Sequence, residues 1–231
     1  MHIPLSNRLK ACCSMVLPGD RIADIGCDHG YLGIHLLKEN IASSVIAADI
    51  NEGPLQSAMR NAEKFGCKER ISFHLSNGVE RIPRDFDTLV CAGMGGDTMI
   101  SILEAAPWLK DSKYRLILQC QSRRPELRKY LYEQGFCIRR ETLAKDSHFI
   151  YPVMEVIYAP SPALLPAQYH ITPALLESGS KLLPDFYQMV VTGLAGTVEG
   201  LSRTGGEKYE YYKTVLQGLR EMEAKIYGNG C

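Results

Sequence analysis

Short apolar runs alternate with amphipathic segments from about residue 5 to residue 158. The apolar runs have the length and composition of buried strands, and they read RIADIG, SVIAADI, RISFHL, FDTLVCAG and YRLILQC. Helices are predicted where apolar residues recur at steps of three and four, in SNRLKACCSMV, YLGIHLLKEN, GPLQSAMRNAEKFG, DTMISILEAAPWL and RPELRKYLYEQG. Ser6 and Asn51 are the predicted N-caps of the first and third helices, and Gly66 is predicted to end the third.

Two further strands, FCIRRETLAKD and FIYPVMEVIYA, follow one another with no helical segment between them. They predict an antiparallel hairpin at the edge of a sheet whose other strands are joined mostly through helices. The whole pattern therefore predicts an α/β fold. We expect a Rossmann-like, doubly wound and mostly parallel sheet with right-handed crossover connections.

The pattern changes near residues 159–173, where four prolines lie in fifteen residues and predict a linker. We expect a first domain over residues 1–160 and a coiled-coil-like helical hairpin over residues 161–231. The hairpin is predicted to have two helices around SRTGG, the first of them kinked or interrupted at Pro184. The second helix has an apolar face at steps of three and four, formed by Tyr212, Val215, Leu219, Met222 and Ile226.

The composition of the 231 residues, with 45% apolar and 23% charged residues, is that of a globular protein. Its eight cysteines form no C-x-x-C pair and no zinc-ligand spacing, which predicts reduced thiols, no metal site and a cytoplasmic protein. No apolar run approaches the roughly 18 residues that a membrane span needs, and the N-terminal residues lack the apolar core of a signal peptide.

The formal net charge is zero, so a nucleic-acid partner would need a local basic patch. Between Arg115 and Lys145 there are eight basic and three acidic residues. This excess predicts either contacts with phosphates or a solvated face, and the sequence leaves both open. Arg8 and Lys10 of the first helix are expected near the mouth of the pocket.

The candidate chemistry begins in IADIGCDHGYL, a strand and a glycine-containing turn that open a helix. A dinucleotide-binding turn reads G-x-G-x-x-G, but Asp28 stands in the place of its second glycine, between Gly26 and Gly30. At ~4 Å two like unit charges repel by about 4 kcal/mol at an intermediate dielectric. The turn therefore disfavours a pyrophosphate, and no G-x-x-x-x-G-K-[ST] loop is present.

A cationic nucleoside without phosphate, S-adenosylmethionine, suits this turn better. Asp24 can meet its ammonium group while Gly26 and Gly30 let the methionine part lie along the turn, and this stretch resembles the first motif of class I methyltransferases. Asp49 ends the second strand nineteen residues after Gly30, where a carboxylate can accept both ribose hydroxyls. The AGMGG segment follows the fourth strand and should lie at the switch point of the sheet.

Several segments together carry a more specific resemblance: LSNRL, ADIGCDHGYL, AADINEGPLQSA, AGMGG, and ILQ followed by LRKYLYEQGF. They resemble the TrmK family of tRNA adenine N1-methyltransferases, which act at tRNA position 22. The resemblance covers roughly residues 3–158, and the helical tail matches that family in kind. The chain departs from the family pattern in two places. Asn77 stands where an aspartate is usual, and Cys120, Gln121 and Ser122 replace a proline-containing segment after the fifth strand.

The resemblance implies S-adenosyl-L-methionine as cofactor, tRNA as partner and the following site residues. Cofactor contacts are predicted for Asp24, Gly26, Asp28, His29, Gly30, Tyr31, Asp49, Ile50, Asn77, Gly78, Ala92 and Gly93, with packing as the alternative role of His29 and Tyr31. Catalytic roles are predicted for Asp28, Met94 and Gly95. Because N1 of adenine carries no proton at neutral pH, no general base is needed. Asp28 is the candidate that stabilises the developing adenine cation.

Three other functions remain open. A methyltransferase of the same fold could act on a small molecule or a protein. A non-catalytic relative could bind RNA without cofactor turnover, and Asn77 supports this alternative because it replaces the usual aspartate. An NAD oxidoreductase ranks last because of the acidic turn. The oligomeric state stays open, with a monomer favoured.

Overall fold

The structure is a computed structural model that describes residues 3–228, so residues 1–2 and 229–231, including Cys231, lie outside the described part. The strands are β1 (Arg21–Ile25), β2 (Ser44–Asp49), β3 (Ile71–Leu75), β4 (Thr88–Met94), β5 (Arg115–Cys120), β6 (Phe136–Asp146) and β7 (Phe149–Tyr158). The helices are α1 (Asn7–Cys13), α2 (Tyr31–Lys38), α3 (Glu52–Lys64), α4 (Gly96–Glu104), α5 (Arg124–Glu133), α6 (Pro173–Leu176), α7 (Leu183–Ser202), α8 (Glu207–Glu221) and α9 (Glu223–Tyr227).

The strands form one sheet in the order β3-β2-β1-β4-β5-β7-β6. The five strands β1 to β5 pair in parallel, whereas β7 is antiparallel to both of its neighbours. This arrangement confirms the predicted doubly wound sheet with an antiparallel hairpin at its edge. The direction of winding reverses between β1 and β4, so a crevice opens beyond the carboxyl ends of these two strands.

The sheet is buried on both faces, which explains why its strands are continuous apolar runs. One face packs on α1, α2 and α3 through residues such as Cys12, Leu36 and Ala58. The other face packs on α4 and α5 through residues such as Met99 and Leu127. The helices on both faces hold the strand ends, and therefore the crevice, in fixed positions.

The three predicted helix ends lie at the predicted residues. The Ser6 hydroxyl accepts a hydrogen bond from the Leu9 backbone N–H at 3.5 Å and caps α1. Gly66 follows α3 with φ +67°, a left-handed conformation that suits glycine. Asn51 is the N-cap residue of α3, as predicted, but its side chain makes no capping hydrogen bond. The Asp49 carboxylate instead accepts the Asn51 backbone N–H at 2.9 Å.

The tail forms the predicted helical hairpin, in which α7 packs against α8. Its core contains Val215, Leu219 and Ile226 of the predicted apolar face and also takes in Leu143 and Ile150 of the β6–β7 hairpin. The predicted first helix is interrupted near Pro184, as one of the two expected outcomes, and is divided into α6 and α7. The helix α6 ends earlier, and Pro184 lies in the first turn of α7, where a missing N–H costs nothing.

The proline-rich segment is also not a free linker, because it packs on the sheet domain. Arg128 of α5, with only 1% of its surface exposed, donates hydrogen bonds to the carbonyl oxygens of Tyr169 and His170 at 3.1 and 3.0 Å. Its guanidinium pairs with Glu141 of β6, whose carboxylate also accepts the Thr172 hydroxyl. Burial, helped by the nearby Arg128 charge, lowers the pKa of His170 to about 4. The set Arg128, Glu141 and Thr172, here called the clasp, joins the two parts of the chain.

Candidate active site

A cavity of ≈ 400 Å³ lies in the crevice at the carboxyl ends of β1, β2 and β4. Its volume is in the range of small-molecule sites in proteins. Ten of the predicted site residues line it: Asp24, Gly26, Asp28, His29, Tyr31, Asp49, Ile50, Ala92, Gly93 and Met94. Four further residues line the cavity: Arg8, which the sequence placed near its mouth, and Leu9, Cys27 and Leu32, which the sequence did not assign to this site. The acidic turn, the end of β2 and the AGMGG segment thus meet around one cavity.

The acidic turn is tight and is tied to β2. The backbone N–H groups of Gly26 and Cys27 both donate to the Ala48 carbonyl oxygen, at 2.8 and 2.9 Å. Gly26 and Gly30 have φ +71° and Asp28 has φ +51°, so the turn uses left-handed conformations three times. A Cβ atom on Gly26 would lie 2.3 Å from the Met94 Cε atom. The left-handed φ favours glycine at this position, and the absence of a Cβ leaves the space that the end of the Met94 side chain occupies.

Asp49 anchors the turn with its carboxylate. One oxygen accepts the Asp28 backbone N–H at 3.2 Å, and the other accepts the Asn51 backbone N–H at 2.9 Å. A carboxylate has about four acceptor positions, so Asp49 retains capacity for two further donors. This geometry suits a pair of ribose hydroxyl groups in the cavity.

Asp24 has a buried carboxylate oxygen that lacks a partner. Its residue surface is only 4% exposed, and Oδ2 accepts no hydrogen bond from the described residues. Burial raises the pKa of Asp24 to about 7, the neighbouring Asp49 charge adds to the shift, and the Gly33 backbone N–H opposes it. A buried acceptor without a donor is costly, and a cationic ligand in the cavity would satisfy it.

Arg8 reaches the same cavity from α1. Its Nη1 atom donates to the Gln119 Oε1 atom at 3.0 Å, and the Gly93 backbone N–H donates to the same oxygen at 3.0 Å. Gln119 is fully buried, and its Nε2 atom has no partner among the described residues. Sequence reasoning placed Arg8 at the mouth and missed Gln119, although a glutamine inside the apolar run LILQC was a visible signal.

The AGMGG segment packs against the loop that follows β5. Gly93 has φ +84°, and the position of its missing Cβ is 3.2 Å from the Arg8 Nη1 atom. Gly95 precedes α4, and a Cβ atom there would lie 3.0 Å from the Ser122 Oγ atom. Met94 lies between these two glycines. Gly93 brings the backbone close to Arg8 in the cavity, and Gly95 brings it close to Ser122 in the loop after β5.

Residues 5–154 match the family described as a methyltransferase domain. The chain belongs to this family of methyltransferases. The tRNA (adenine(22)-N(1))-methyltransferase of Bacillus subtilis is 35% identical over 154 residues, which are 66% of this chain and 65% of that protein. The chain thus matches just under two thirds of that relative's length.

Two solved structures extend the similarity over nearly the whole methyltransferase. Bacillus subtilis TrmK has a TM-score of 0.80 and 27% identity, and the match covers 97% of this chain and 98% of that one. A Streptococcus pneumoniae protein in complex with S-adenosyl-L-methionine has a TM-score of 0.79 and 30% identity, over 94% and 98% of the two chains. These matches confirm the resemblance to the TrmK family.

Four predicted site residues of the methyltransferase do not line the cavity: Gly30, Asn77, Gly78 and Gly95. Gly30 has φ +71° and packs on Ala58, so its role in the structure is to let α2 approach α3. Asn77 is exposed, and its side chain donates to the Glu80 carboxylate at 2.9 Å. Gly78 has φ +55° and lies against Ile102. Contacts of these residues with the cofactor stay predictions.

The basic excess between Arg115 and Lys145 is partly internal. Arg115 pairs with Asp20 and Glu155, Arg140 pairs with the same Glu155, and Arg128 belongs to the clasp. Arg115 and Arg140 are tied to carboxylates of the sheet domain and Arg128 joins the sheet to the tail, so this part of the basic excess has a structural role. Within residues 3–228, Lys145 is exposed and makes no ion pair.

The described cysteines of the methyltransferase are free, and all but Cys137 are buried. Cys27 lines the cavity, and burial raises the pKa of its thiol, so the thiol stays protonated at neutral pH. Among residues 3–228, no three His, Cys, Asp or Glu side chains are grouped to hold a metal ion. No helix in this part of the chain has the length and apolarity to cross a membrane.

The raised pKa of Asp24 predicts how stability depends on pH. The pKa rises from 3.8 in the unfolded chain to about 7 in the folded protein, so folding favours the protonated form. The free energy of unfolding therefore falls as the pH rises from the unfolded pKa of 3.8 through the folded pKa of about 7. We expect the ligand-free protein to lose about 2–3 kcal/mol of unfolding free energy between pH 5 and pH 8, relative to Asp24→Asn. Urea denaturation of both proteins at each pH measures this difference, and parallel curves would contradict it.

Proposed function

We propose that this methyltransferase uses S-adenosyl-L-methionine to methylate N1 of an adenine in tRNA, at position 22. The observation that carries this proposal is the cavity itself, which combines an unpartnered buried carboxylate oxygen of Asp24 with the anchored carboxylate of Asp49. The substrate follows from the similarity to the Bacillus subtilis enzyme that bears this activity in its name. We place the protein in the cytoplasm, where its tRNA substrate is found.

The residues around the cavity fit the parts of this cofactor. Asp24 supplies an acceptor for the ammonium group, and Asp49 supplies acceptors for the ribose hydroxyls. Gly26 and Gly93 let the ligand approach the backbone, since both have left-handed conformations without a Cβ atom. When bound, S-adenosylmethionine supplies an electrophilic methyl group on a sulfonium.

Arg8 is suited to the carboxylate of the methionine part. Asp24, Asp28 and Asp49 give the cavity three carboxylates, and Arg8 is the single lysine or arginine among its lining residues. Arg8 is held in place by Gln119 and by its backbone N–H, which donates to Asp146 at 3.1 Å. A guanidinium fixed in this way binds a carboxylate with charge-assisted hydrogen bonds.

Replacing Arg8 by methionine is expected to weaken S-adenosylmethionine binding about 10- to 100-fold, since hydrogen bonds to charged groups contribute about 1.5–3 kcal/mol. Calorimetry measures the affinity, and Lys10→Met, an exposed residue of the same helix, is the matched control. 5′-Methylthioadenosine lacks the amino-acid part, so its affinity should not change. Equal losses for both ligands would show that Arg8 shapes the pocket without binding the carboxylate.

The proposed chemistry needs positioning more than proton transfer. The N1 lone pair of adenine attacks the methyl carbon, the bond from that carbon to sulfur breaks with its electrons going to sulfur, and the adenine becomes cationic. Asp28 lines the cavity, and we assign it to stabilise this developing charge. Met94 and Gly95 offer an apolar contact and a close backbone approach for the planar base.

The tail completes the proposal. We infer that residues 161–231 contact the body of the tRNA, while residues 1–160 bind the cofactor and carry out the transfer. The clasp fixes the tail to the sheet domain. A tail held in this position can bind a folded RNA by its shape and place one adenine at the cavity.

The decisive experiment incubates the purified protein with unmodified tRNA transcripts and methyl-labelled S-adenosylmethionine. Nucleoside analysis should show label in 1-methyladenosine, and replacing the adenine at position 22 should abolish it. Label in another nucleoside, or transfer only to protein or small molecules, would overturn the assignment of substrate. Absence of cofactor binding by calorimetry would overturn the enzyme function as a whole.

A further inference from the structure

The β6–β7 hairpin extends well past the edge of the sheet that holds the cavity. Pairing between β5 and β7 ends at Gln119 opposite Val153. Pairing between β6 and β7 continues to Asp146 opposite Phe149. At about 3.4 Å per residue, the four residues from Val153 to Phe149 carry the hairpin tip ~13 Å beyond this point.

One face of the hairpin is continuous with the wall of the cavity. Val153 packs in the core that includes α1, and side chains alternate along a strand, so Tyr151 and Phe149 lie on this same face. Asp146, directly opposite Phe149, accepts the backbone N–H groups of Asn7 and Arg8 at 2.8 and 3.1 Å. Because Arg8 lines the cavity, the aromatic residues flank the approach to it.

The chemistry of this face is aromatic. Phe149 is 62% exposed, and its ring centroid lies 6.1 Å from that of Tyr151. The carboxylate of Asp146 is engaged by α1. Lys145 pairs with Ile150 in the register, so it lies on the other face of the hairpin, where it is exposed without an ion pair among the described residues. An exposed aromatic ring beside the approach to the cavity is suited to stack an unpaired base.

We propose that Phe149, supported by Tyr151, is a stacking platform for an unpaired base adjacent to the target base of the RNA substrate. This inference rests on the proposed function. Moving the target base out of its stack into the cavity leaves its neighbour without a stacking partner. Phe149 replaces that partner at the position where the RNA strand leaves the cavity.

The test uses Phe149→Leu, which keeps an apolar side chain of similar size but removes the aromatic face. We expect kcat/KM for an unmodified tRNA transcript to fall about 5- to 100-fold, since stacking contributes ~1–3 kcal/mol per base. The loss should appear mainly in KM for tRNA, with the affinity for S-adenosylmethionine unchanged. Phe149→Trp should retain activity. Tyr158→Leu, at the opposite end of the same strand, should leave both parameters unchanged.

A second measurement does not depend on methyl transfer. Trp108 is the only tryptophan of the chain, so new emission in Phe149→Trp reports the hairpin tip. Titration with a single-stranded oligoadenylate should quench this emission, whereas wild-type emission should change little. Absence of quenching, together with an unchanged KM for tRNA in Phe149→Leu, would overturn the stacking role.

The outcomes also separate this inference from the proposed function. If wild-type protein methylates tRNA and Phe149→Leu does so equally well, only the stacking platform fails. If the wild-type protein methylates no tRNA and oligoadenylate does not quench Phe149→Trp, both fail. If Phe149→Leu instead changes the sedimentation of the protein from dimer to monomer with no effect on RNA, the face contacts a second copy of the chain and the stacking role is overturned.

Discussion

Replacing Arg128 by methionine is expected to lower the free energy of unfolding by about 3–5 kcal/mol. The substitution leaves the fully buried carboxylate of Glu141 without its cationic partner, and an uncompensated buried charge carries a cost of this size. It also removes the donors to the carbonyl oxygens of Tyr169 and His170. Urea denaturation, followed by circular dichroism, measures the loss.

The double variant Arg128→Met with Glu141→Leu separates charge from packing. Replacing a whole buried ion pair by apolar residues is often neutral, so we expect most of the stability to return. Lys129→Met, on the exposed side of the same helix, should change stability by less than about 0.5 kcal/mol. A single variant as stable as the wild type would mean that the clasp does not hold the tail.

Replacing Asp49 by alanine is expected to weaken S-adenosylmethionine binding at least about 100-fold. The variant loses the acceptors proposed for two ribose hydroxyls, each a hydrogen bond to a charged group worth about 1.5–3 kcal/mol. It also releases the Asp28 and Asn51 backbone N–H groups that order the turn. Calorimetric titration with the cofactor measures the effect.

5′-Methylthioadenosine distinguishes the Asp49 variant from the Arg8 variant, because this ligand keeps the ribose and lacks the amino-acid part. Its affinity should fall in Asp49→Ala as steeply as that of the cofactor. Asp20→Ala is the matched control, because Asp20 is a largely buried carboxylate that pairs with Arg115 away from the cavity. That control should lose stability and keep its cofactor affinity. If Asp49→Ala bound 5′-methylthioadenosine as tightly as the wild type, Asp49 would not be the acceptor for the ribose hydroxyls.

The features that the sequence predicted well are local in the chain. The strand, turn and helix around Asp24 and Gly26 are set by neighbouring residues, and Asp49 follows from the end of the next strand. Parallel strands bring their carboxyl ends to one edge, so these residues meet without further information. The same rule placed the AGMGG segment of β4 beside them.

The features that the sequence did not predict depend on contacts between distant residues. Arg8 and Gln119 are 111 positions apart, and only the docking of α1 on the sheet brings them together. Arg128 was expected on the surface of an amphipathic helix, but the tail covers it and leaves it buried. Prolines in the segment before α6 indicated a linker, whereas the hydrogen bonds from Arg128 hold this segment in place.

Asp146 connects the proposed RNA contact at the hairpin tip with the cofactor cavity. Its carboxylate ties the hairpin that carries Phe149 to the backbone of Arg8, which lines the cofactor cavity. A ligand that displaces the hairpin tip would therefore act on the start of α1 through these hydrogen bonds. Linkage makes such coupling reciprocal. Any factor by which RNA raises cofactor affinity is the factor by which the cofactor raises RNA affinity.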